Sequence, residues 1–463
     1  MTPGRRRLAA RRVLFPTGIA EGYVDVEGAV VVEAAKGPPP RDAVPVEDFG
    51  DALMTPALVD AHTHLALVAL RGLAARLPAE ASVVEDLFYT AESKLVPGDV
   101  RAFARMGAYD ALLGGTGLVW DHYYAAEEVA AACADVGLTA VVAPTLQDEG
   151  GPGRGGAEAA LAATETLATS ARWRAAGIYA AAGPHATDTV SDALWERAVG
   201  LAERHGLPVH AHLAQSADEH ARSLDTHAMT PAQRVERAGW MSRAPHVFAH
   251  ALYVTRDELP ALREATLVAC PYSQLVFAFP ARVDWWRAAQ IRWVVATDCA
   301  ASNDSMSLRK ELRFLSGVGA LRTSFGRDYE RFFAGKLPAA ALAPGRDVPA
   351  PGALLRRVLD APGALHPAFR AGTLEVGALA NVAVWDAGHP RLWPLLDPLR
   401  ALTHGDGDDA LRALFVRGQP VGETGDVAGS LRRSEAYGAH RDEAEKRLRG
   451  LLGRMGLSTD AIF

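Results

Sequence analysis

Eight short apolar runs, separated by stretches of helical character, dominate the sequence between residues 57 and 298. The stretches between them are rich in Ala, Leu, Glu and Arg at helical spacing. Eight strands that alternate with helices are typical of an α/β fold in which a parallel sheet closes into a (β/α)8 barrel. The predicted strands are residues 57–62, 117–122, 138–145, 178–185, 207–213, 246–251, 266–271 and 291–298.

Six of these runs end in or next to a histidine or an aspartate. In a (β/α)8 barrel, the loops that follow the strands build the active site at the carboxyl ends of the strands. A chain that merely scattered its 15 histidines would not concentrate them there. The sequence therefore predicts one site, formed by His62 and His64, Asp121 and His122, His185, His210 and His212, His250, and Asp298.

His62 and His64 form a His-x-His motif at the end of the first predicted strand. Side chains alternate along a strand with a period of two, so both imidazoles point to the same side. Two imidazoles at this spacing can bind one metal ion, although an isolated motif of this length more often only ends a buried strand. The histidines and the aspartate at the other strand ends favour the metal site.

Short β-like runs with glycine turns occupy both ends of the chain, over residues 13–35, 372–386 and 413–421. The first segment is too short to bury a core by itself. We therefore predict a small composite β-domain built from residues 1–55 and 372–425, beside a barrel over residues 56–371. Alternating charges at helical spacing over residues 430–457 predict a solvated helix, and the last segment, 426–463, is therefore predicted to be a helical tail.

Composition and charge exclude several classes of function. The formal net charge is −7 and no long basic run is present, which argues against a nucleic-acid partner. No stretch is apolar enough to span a membrane, and no signal-peptide core follows the arginine-rich start. The three cysteines are far apart and form no CxxC pattern. A reducing, cytoplasmic location is therefore expected.

Eight motifs, in this order, resemble those of the amidohydrolase superfamily. The resembling branch contains guanine and S-adenosylhomocysteine deaminases and triazine aminohydrolases and chlorohydrolases. The motifs are PALVDAHTHLALVALRGLA, GTGLVWDHYY, GPHATDTVS, VHAHLAQSADE, FAHALYVTRDEL, CPYSQ, ATDCAASNDSMSL and GTLEVGALANVAVWD. The resemblance runs from residue 15 to 425. It implies a TIM barrel with a composite β-sandwich and one catalytic divalent metal ion, with zinc ahead of iron. We also expect a homo-oligomer, a dimer.

The resemblance implies a role for several residues at the predicted site. It makes His62, His64, His212 and Asp298 the metal ligands, and it places His250 beside the metal and His185 against the substrate. By position alone, Gln215 and His122 are further candidate substrate-binding residues, and His250 and Asp298 are the candidate catalytic residues. Three imidazoles and one carboxylate leave a coordination position for water, whose pKa falls towards neutral on the metal. The resulting hydroxide can attack an electron-poor ring carbon or a carbonyl, and a nearby imidazole can stabilise the adduct.

Gln215 departs from the pattern of this branch, where most deaminases carry a glutamate that shuttles a proton. A neutral amide cannot serve as a general base near pH 7. Gln215 can still orient the substrate through a hydrogen bond. We therefore expect Asp298 to take the proton from the nucleophilic water and His250 to polarise the substrate.

Three functions of different class remain open. The first, which we prefer, is hydrolytic deamination of a small nitrogen heterocycle such as a purine, pterin, pyrimidine or triazine. The second is hydrolysis of another bond by the same site, such as a C–Cl bond or a cyclic amide. The third is a non-catalytic metal-binding relative. The presence of all four ligands and of His250 argues against the third.

Overall fold

The computed structural model describes residues 4–78, 80–277, 281–324, 330–331, 333–336 and 349–457. The outermost parts of the two predicted end segments, residues 1–3 and 458–463, lie outside this range, as do parts of the predicted barrel segment. Within it the strands are, in chain order, β1 (Arg6–Phe15), β2 (Gly18–Glu27), β3 (Val30–Lys36), β4 (Val46–Asp48), β5 (Ala52–Pro56), β6 (Leu58–Thr63), β7 (Thr116–Tyr123), β8 (Thr139–Leu146), β9 (Ile178–Ala180), β10 (Gly183–Pro184), β11 (Val209–Leu213), β12 (His246–His250), β13 (Thr266–Ala269), β14 (Arg292–Val295), β15 (Val382–Asp386), β16 (Leu411–Val416) and β17 (Gln419–Pro420).

Strands β6 to β14 form a closed parallel barrel. Hydrogen-bonded pairing runs from β6 to β10 and again from β11 to β14. A bridge between Ala182 and Val209 joins these two sheets, and a bridge between Thr63 and Asp298 closes the ring. Every residue of β7 and β8 is buried, because helices cover the outer face of a parallel barrel while side chains fill its interior.

Helices alternate with the barrel strands, and their ends follow from local sequence. The helix before β11 begins at Asp192, where the Ser191 hydroxyl accepts a hydrogen bond from the Leu194 amide. It ends at Gly206, which has a φ of +63°. The main helices are Pro97–Leu113, Ala126–Val136, Ala157–Thr169, Asp192–His205, Ala217–His227, Pro231–Ala238, Val283–Ala288, Leu308–Ser324, Pro398–His404, Val427–Arg433 and Glu435–Arg454.

Strands from both ends of the chain form one eight-stranded sheet beside the barrel. Its order is β17-β16-β15-β5-β1-β2-β3, and β4 also pairs with β1. Strand β15 lies antiparallel to β5, with Val382 opposite Pro56. The sheet has a hydrophobic core of its own, separate from that of the barrel. The predicted fold class, a barrel with a composite β-domain, is thus confirmed, while the boundaries at residues 55, 371 and 425 stay predictions.

Trp385 lies at the seam between the β-domain and the barrel. Its side chain is 0% exposed, and its indole Nε1 donates a hydrogen bond of 3.1 Å to the Thr55 hydroxyl. The guanidinium of Arg309 lies 4.8 Å from the ring centroid. Gly115, just before β7, has a φ of +84°, and a Cβ there would lie 2.7 Å from the Trp385 ring. The indole therefore packs against a position that only glycine can occupy without strain.

The C-terminal helix Glu435–Arg454 packs against the barrel helix Pro97–Leu113. Glu443 pairs with Arg105 at 2.9 Å, and the hydroxyl of Tyr109 lies 3.0 Å from Nδ1 of His440. The charge pattern of the tail predicted a solvated helix, but partners remote in sequence hold one face of it. No helix in the described ranges is long and apolar enough to cross a membrane.

Candidate metal centre and active site

The four predicted metal ligands converge at the carboxyl ends of the barrel strands. His62 belongs to β6 and His212 to β11, while His64 and Asp298 follow β6 and β14. The Nε2 atoms of His64 and His212 lie 3.2 Å apart. Oδ1 of Asp298 lies 3.4 Å from Nε2 of His64 and 3.6 Å from Nε2 of His62. Three strand ends remote in sequence thus bring these donors together, with nitrogens of the three imidazoles within 4.8 Å of one another and the carboxylate beside two of them.

The spacing of these atoms fits one divalent ion. Zinc–nitrogen bonds of 2.0–2.1 Å in a tetrahedral site put neighbouring ligand atoms about 3.3 Å apart. Nε2 of His62 is fully buried and has no hydrogen-bond partner among the described residues. A buried imidazole nitrogen left this way costs stability unless something binds it. The donor set, three imidazoles and one carboxylate, is one that zinc accepts.

Backbone carbonyls fix the orientation of two of these imidazoles. Nδ1 of His64 lies 2.6 Å from the His122 carbonyl, and Nδ1 of His212 lies 2.9 Å from the His185 carbonyl. A carbonyl only accepts, so Nδ1 carries the proton in both rings and Nε2 keeps its lone pair. This is the tautomer that a metal ligand needs.

His210 supports His62 from below. Nδ1 of His62 lies 2.9 Å from Nε2 of His210, so Nε2 of His210 can accept a hydrogen bond from a protonated Nδ1 of His62. Burial lowers the pKa of His62 and of His212 well below the ordinary value of a histidine. Both rings are therefore neutral near pH 7, the form that can ligate a metal.

Asp298 and His250 have left-handed backbone conformations, with φ of +64° and +75°. Non-glycine residues adopt this backbone region only at a cost in free energy. Such strained residues are common at functional sites. Asp298 is held on both sides, since its amide donates to the His62 carbonyl at 3.0 Å and its carbonyl accepts from the His64 amide at 2.9 Å. The barrel closure thus fixes the carboxylate beside the imidazoles.

His250 lies beside the candidate metal centre. Its ring centroid is 5.4 Å from that of His62 and 5.5 Å from that of His212, and one of its nitrogens groups with His62 and Asp298 within 4.8 Å. Nδ1 is buried and finds no partner in the described part of the chain. Burial lowers the pKa of His250 to about 4, although Asp298 opposes this. A neutral imidazole here can exchange hydrogen bonds with water or substrate.

A cavity of about 450 Å³, open to solvent, lies over these side chains. Most of the predicted site residues line it, whereas three are fully buried and do not reach it, namely His62, Asp121 and His210. Five aromatic side chains form much of its wall, namely Phe88, Tyr89, Tyr123, Tyr124 and Phe277. Aromatic walls with a few polar groups suit a flat ring. We call this cavity the inner cavity.

His122 and His185 both lie on the wall of the inner cavity. Nδ1 of His122 lies 3.0 Å from the Thr145 hydroxyl, and Nδ1 of His185 lies 2.8 Å from the Thr189 hydroxyl. Burial lowers the pKa of His185 to about 3 and that of His122 well below its ordinary value. The two neutral rings offer hydrogen bonds to a bound ligand without adding charge.

Gln215 also lines the inner cavity, and its backbone amide donates a 2.7 Å hydrogen bond to Oε2 of Glu219. Oε1 of Glu219 accepts a 2.6 Å bond from the Thr187 hydroxyl. Burial, with a smaller contribution from Asp188, raises the pKa of Glu219 to about 7. Glu219 thus ties the loops after β10 and β11 together and holds the backbone of Gln215.

The sequence did not point to Glu92, which comes from the long loop after β6 and also lines the inner cavity. Burial raises the pKa of Glu92 to about 8, so its carboxyl group is largely protonated at pH 7 and can donate a hydrogen bond. Glu92 lies at the end of a short helix, where no sequence pattern marks it as a residue of the site. Tyr123 and Tyr124 were also missed, although they follow His122 at a strand end, where the barrel topology places site residues.

The chain matches the amidohydrolase family over residues 53–324. It is 30% identical, over 459 residues, to the 5-methylthioadenosine/S-adenosylhomocysteine deaminase of Halobacterium salinarum, covering 97% of this chain and 99% of that protein. Among solved structures it is similar to an adenosine deaminase from Xanthomonas campestris with bound zinc. There the TM-score is 0.79 and the identity 23%, and the match covers 97% of this chain and 99% of the other.

The fold is also similar to that of the atrazine chlorohydrolase from Arthrobacter aurescens, complexed with zinc. Here the TM-score is 0.77 and the identity 20%, over 94% of this chain and all of the other. At such low identity the likeness to a solved structure shows the fold alone. The matched family confirms the prediction of a hydrolase acting on carbon–nitrogen bonds other than peptide bonds. From its sequence and its fold, this chain belongs to the amidohydrolase family.

Proposed function

We propose that this protein is a metal-dependent hydrolase that removes an amino group from a nitrogen heterocycle, with an adenine-type purine as the first candidate. The observation that carries the proposal is a cluster of three imidazoles, with one carboxylate beside two of them, at an aromatic-walled cavity. The relative from Halobacterium salinarum, named as a deaminase of adenine-containing compounds, matches nearly the whole chain and supports the choice of ring.

The proposed ligands of a single zinc ion are His62, His64, His212 and Asp298. The bound zinc in the two similar structures supports zinc ahead of iron. When bound, a divalent ion at this point lowers the pKa of water and so supplies the nucleophile.

The side chains around the ligands have distinct proposed roles. Oδ1 of Asp298 faces the imidazoles, which leaves Oδ2 to take the proton from the attacking water. His250 stabilises, through a hydrogen bond, the charge that develops on the substrate ring during the attack. Gln215 orients that ring from the cavity wall. His122 and His185 add neutral hydrogen bonds.

Ammonia release over a panel of heterocycles tests the proposal. The panel contains adenosine, 5′-deoxyadenosine, guanine, a pterin, cytosine and an aminotriazine, with a chlorotriazine as the matched control for C–Cl cleavage. We expect ammonia from at least one purine and one zinc ion per chain by metal analysis. Chloride release alone, or no product from any compound, would contradict deamination.

The expected homodimer and the cytoplasmic location stay predictions. Light scattering of the purified chain tests the first, because a dimer has twice the mass of the 49.1 kDa chain. Cell fractionation tests the second.

A further inference from the structure

A second cavity, of about 870 Å³, opens beside the inner one, and we call it the outer cavity. Val84, Tyr89, Gln215 and Phe277 line both, so the outer cavity begins where the inner one ends. Its walls are built by the segments that follow five barrel strands, β6, β10, β11, β12 and β13, as expected at the active-site end of this fold. A substituent on a ring held in the inner cavity would enter it.

The walls of the outer cavity carry an excess of negative charge. Among the described residues, four carboxylates line it, namely Glu80, Glu85, Asp188 and Asp218, against one guanidinium, that of Arg222. Arg222 is already paired, since Nη1 lies 2.8 Å from Glu85 and Nη2 lies 2.8 Å from Oδ2 of Asp188. Its charge therefore offsets only part of the negative charge around the cavity.

Asp188 is the member of this set with a buried side chain, and one of its oxygens lacks a partner among the described residues. Its side chain is 4% exposed, and Oδ2 accepts a 2.9 Å hydrogen bond from Nε of Arg222. Oδ1 is buried and receives no hydrogen bond from another described residue. Burial raises the pKa of Asp188, whereas the positive charge of Arg222 opposes that rise. A carboxylate whose negative charge is only partly compensated behaves in this way. Such an oxygen is expected to have a donor, from solvent or from a ligand.

We propose that the outer cavity is a subsite for a positively charged nitrogen at the end of the substrate's substituent, and that Oδ1 of Asp188 is its hydrogen-bond acceptor. This inference rests on the proposed function, which places the ring in the inner cavity. An ammonium group would supply the missing donor and a compensating charge at once. A phosphate in the same place would face the carboxylates and would be repelled.

Three adenosine derivatives that differ only at the 5′ position test the subsite. They are 5′-amino-5′-deoxyadenosine, which is cationic at pH 7, the uncharged 5′-deoxyadenosine, and the anionic adenosine 5′-monophosphate. With the zinc-loaded enzyme we expect kcat/KM for the amino compound to exceed that for 5′-deoxyadenosine by about tenfold to a hundredfold, the size of a buried charge-assisted bond. The monophosphate should be the poorest substrate.

Asp188→Asn should remove this preference while leaving kcat/KM for 5′-deoxyadenosine within about twofold. Asp192→Asn is the matched control, because it removes one negative charge from a side chain that is 67% exposed and pairs with Arg234 instead. Asp218→Asn, at the exposed rim of the outer cavity, should reduce the preference by a smaller factor and serves if the first variant fails to fold.

The outcomes separate the subsite from the proposed function. If 5′-deoxyadenosine or the monophosphate releases ammonia as fast as the amino compound, the subsite is wrong and deamination stands. If none of the three releases ammonia, calorimetry ranks their binding. Tighter binding of the amino compound, lost in Asp188→Asn, then supports the subsite and contradicts adenosine deamination. Equal binding, or no binding, overturns the subsite.

Discussion

Replacing Trp385 with phenylalanine should destabilise the protein without changing its chemistry. The indole is fully buried between the β-domain and the barrel, where it bonds to Thr55 and faces Arg309. Phenylalanine keeps an aromatic ring but loses the donor, at a cost of about 1 kcal/mol. The smaller ring leaves unfilled volume and a weaker partner for the guanidinium, each about 1 kcal/mol. The expected loss of unfolding free energy is therefore about 3 kcal/mol.

Circular dichroism during thermal and urea denaturation measures this loss, because the signal does not depend on the removed fluorophore. We expect a melting temperature lower by roughly 3 °C and a lower urea midpoint. Below the transition, kcat/KM should equal that of the unchanged protein, since Trp385 packs at the domain seam and not on the wall of the inner cavity.

Trp393→Phe is the matched control, because the same change at a side chain that is 72% exposed should cost less than about 0.5 kcal/mol. Equal stability of the two variants would refute the reasoning about the seam. So would a loss of activity in Trp385→Phe at unchanged stability, because the residue would then act on the site itself.

Further predictions concern the metal, the catalytic base, pH and the domain organisation. His64→Ala and Asp298→Ala should each lose metal and turnover, and full occupancy with unchanged activity in either would contradict the ligand assignment. Gln215→Ala should mainly raise KM, whereas a collapse of kcat with intact substrate binding would place Gln215 in the chemical step. Glu219 has a folded pKa of about 7, above the ordinary 4.5, so its protonation stabilises the fold below pH 4.5 and this contribution is lost as the pH rises through 7. Glu219→Gln should therefore flatten the urea-derived stability between pH 5 and 8, by on the order of 3 kcal/mol, and an unchanged slope would contradict the shift. A chain ending at residue 370 should be insoluble or unstable, since β5 loses its partner β15, and an undiminished melting temperature would exclude a shared domain.

The barrel and the positions of the ligands could be predicted because both follow from local patterns. Strands buried on both faces read as short apolar runs, and the parallel topology places all their carboxyl ends at one edge. His62 and Asp298 are 236 positions apart in sequence, yet the closure of the barrel brings them together without any pattern that joins them.

The loop contributions could not be predicted, because no periodicity sets the path of a long loop. Glu92 and Tyr89 reach the inner cavity only through the irregular segment after β6, which includes the π-helical turn Val83–Tyr89. The pairing of Arg222 with Asp188 and Glu85 joins three segments that follow different barrel strands, and it has no local signature. The docking of the C-terminal helix likewise depends on partners more than 300 residues away.

The pairing of β5 with β15 also sets a delay during synthesis of the chain. The whole barrel is translated between these two strands, as residues 57–381. At about 5–20 residues per second, translation of roughly 300 residues takes roughly 15–60 s. Throughout that time β5 has emerged without its antiparallel partner, and an unpaired strand edge is a template for aggregation. The edge of β5 that β15 covers in the folded sheet therefore stays unpaired until residues 382–386 have left the ribosome.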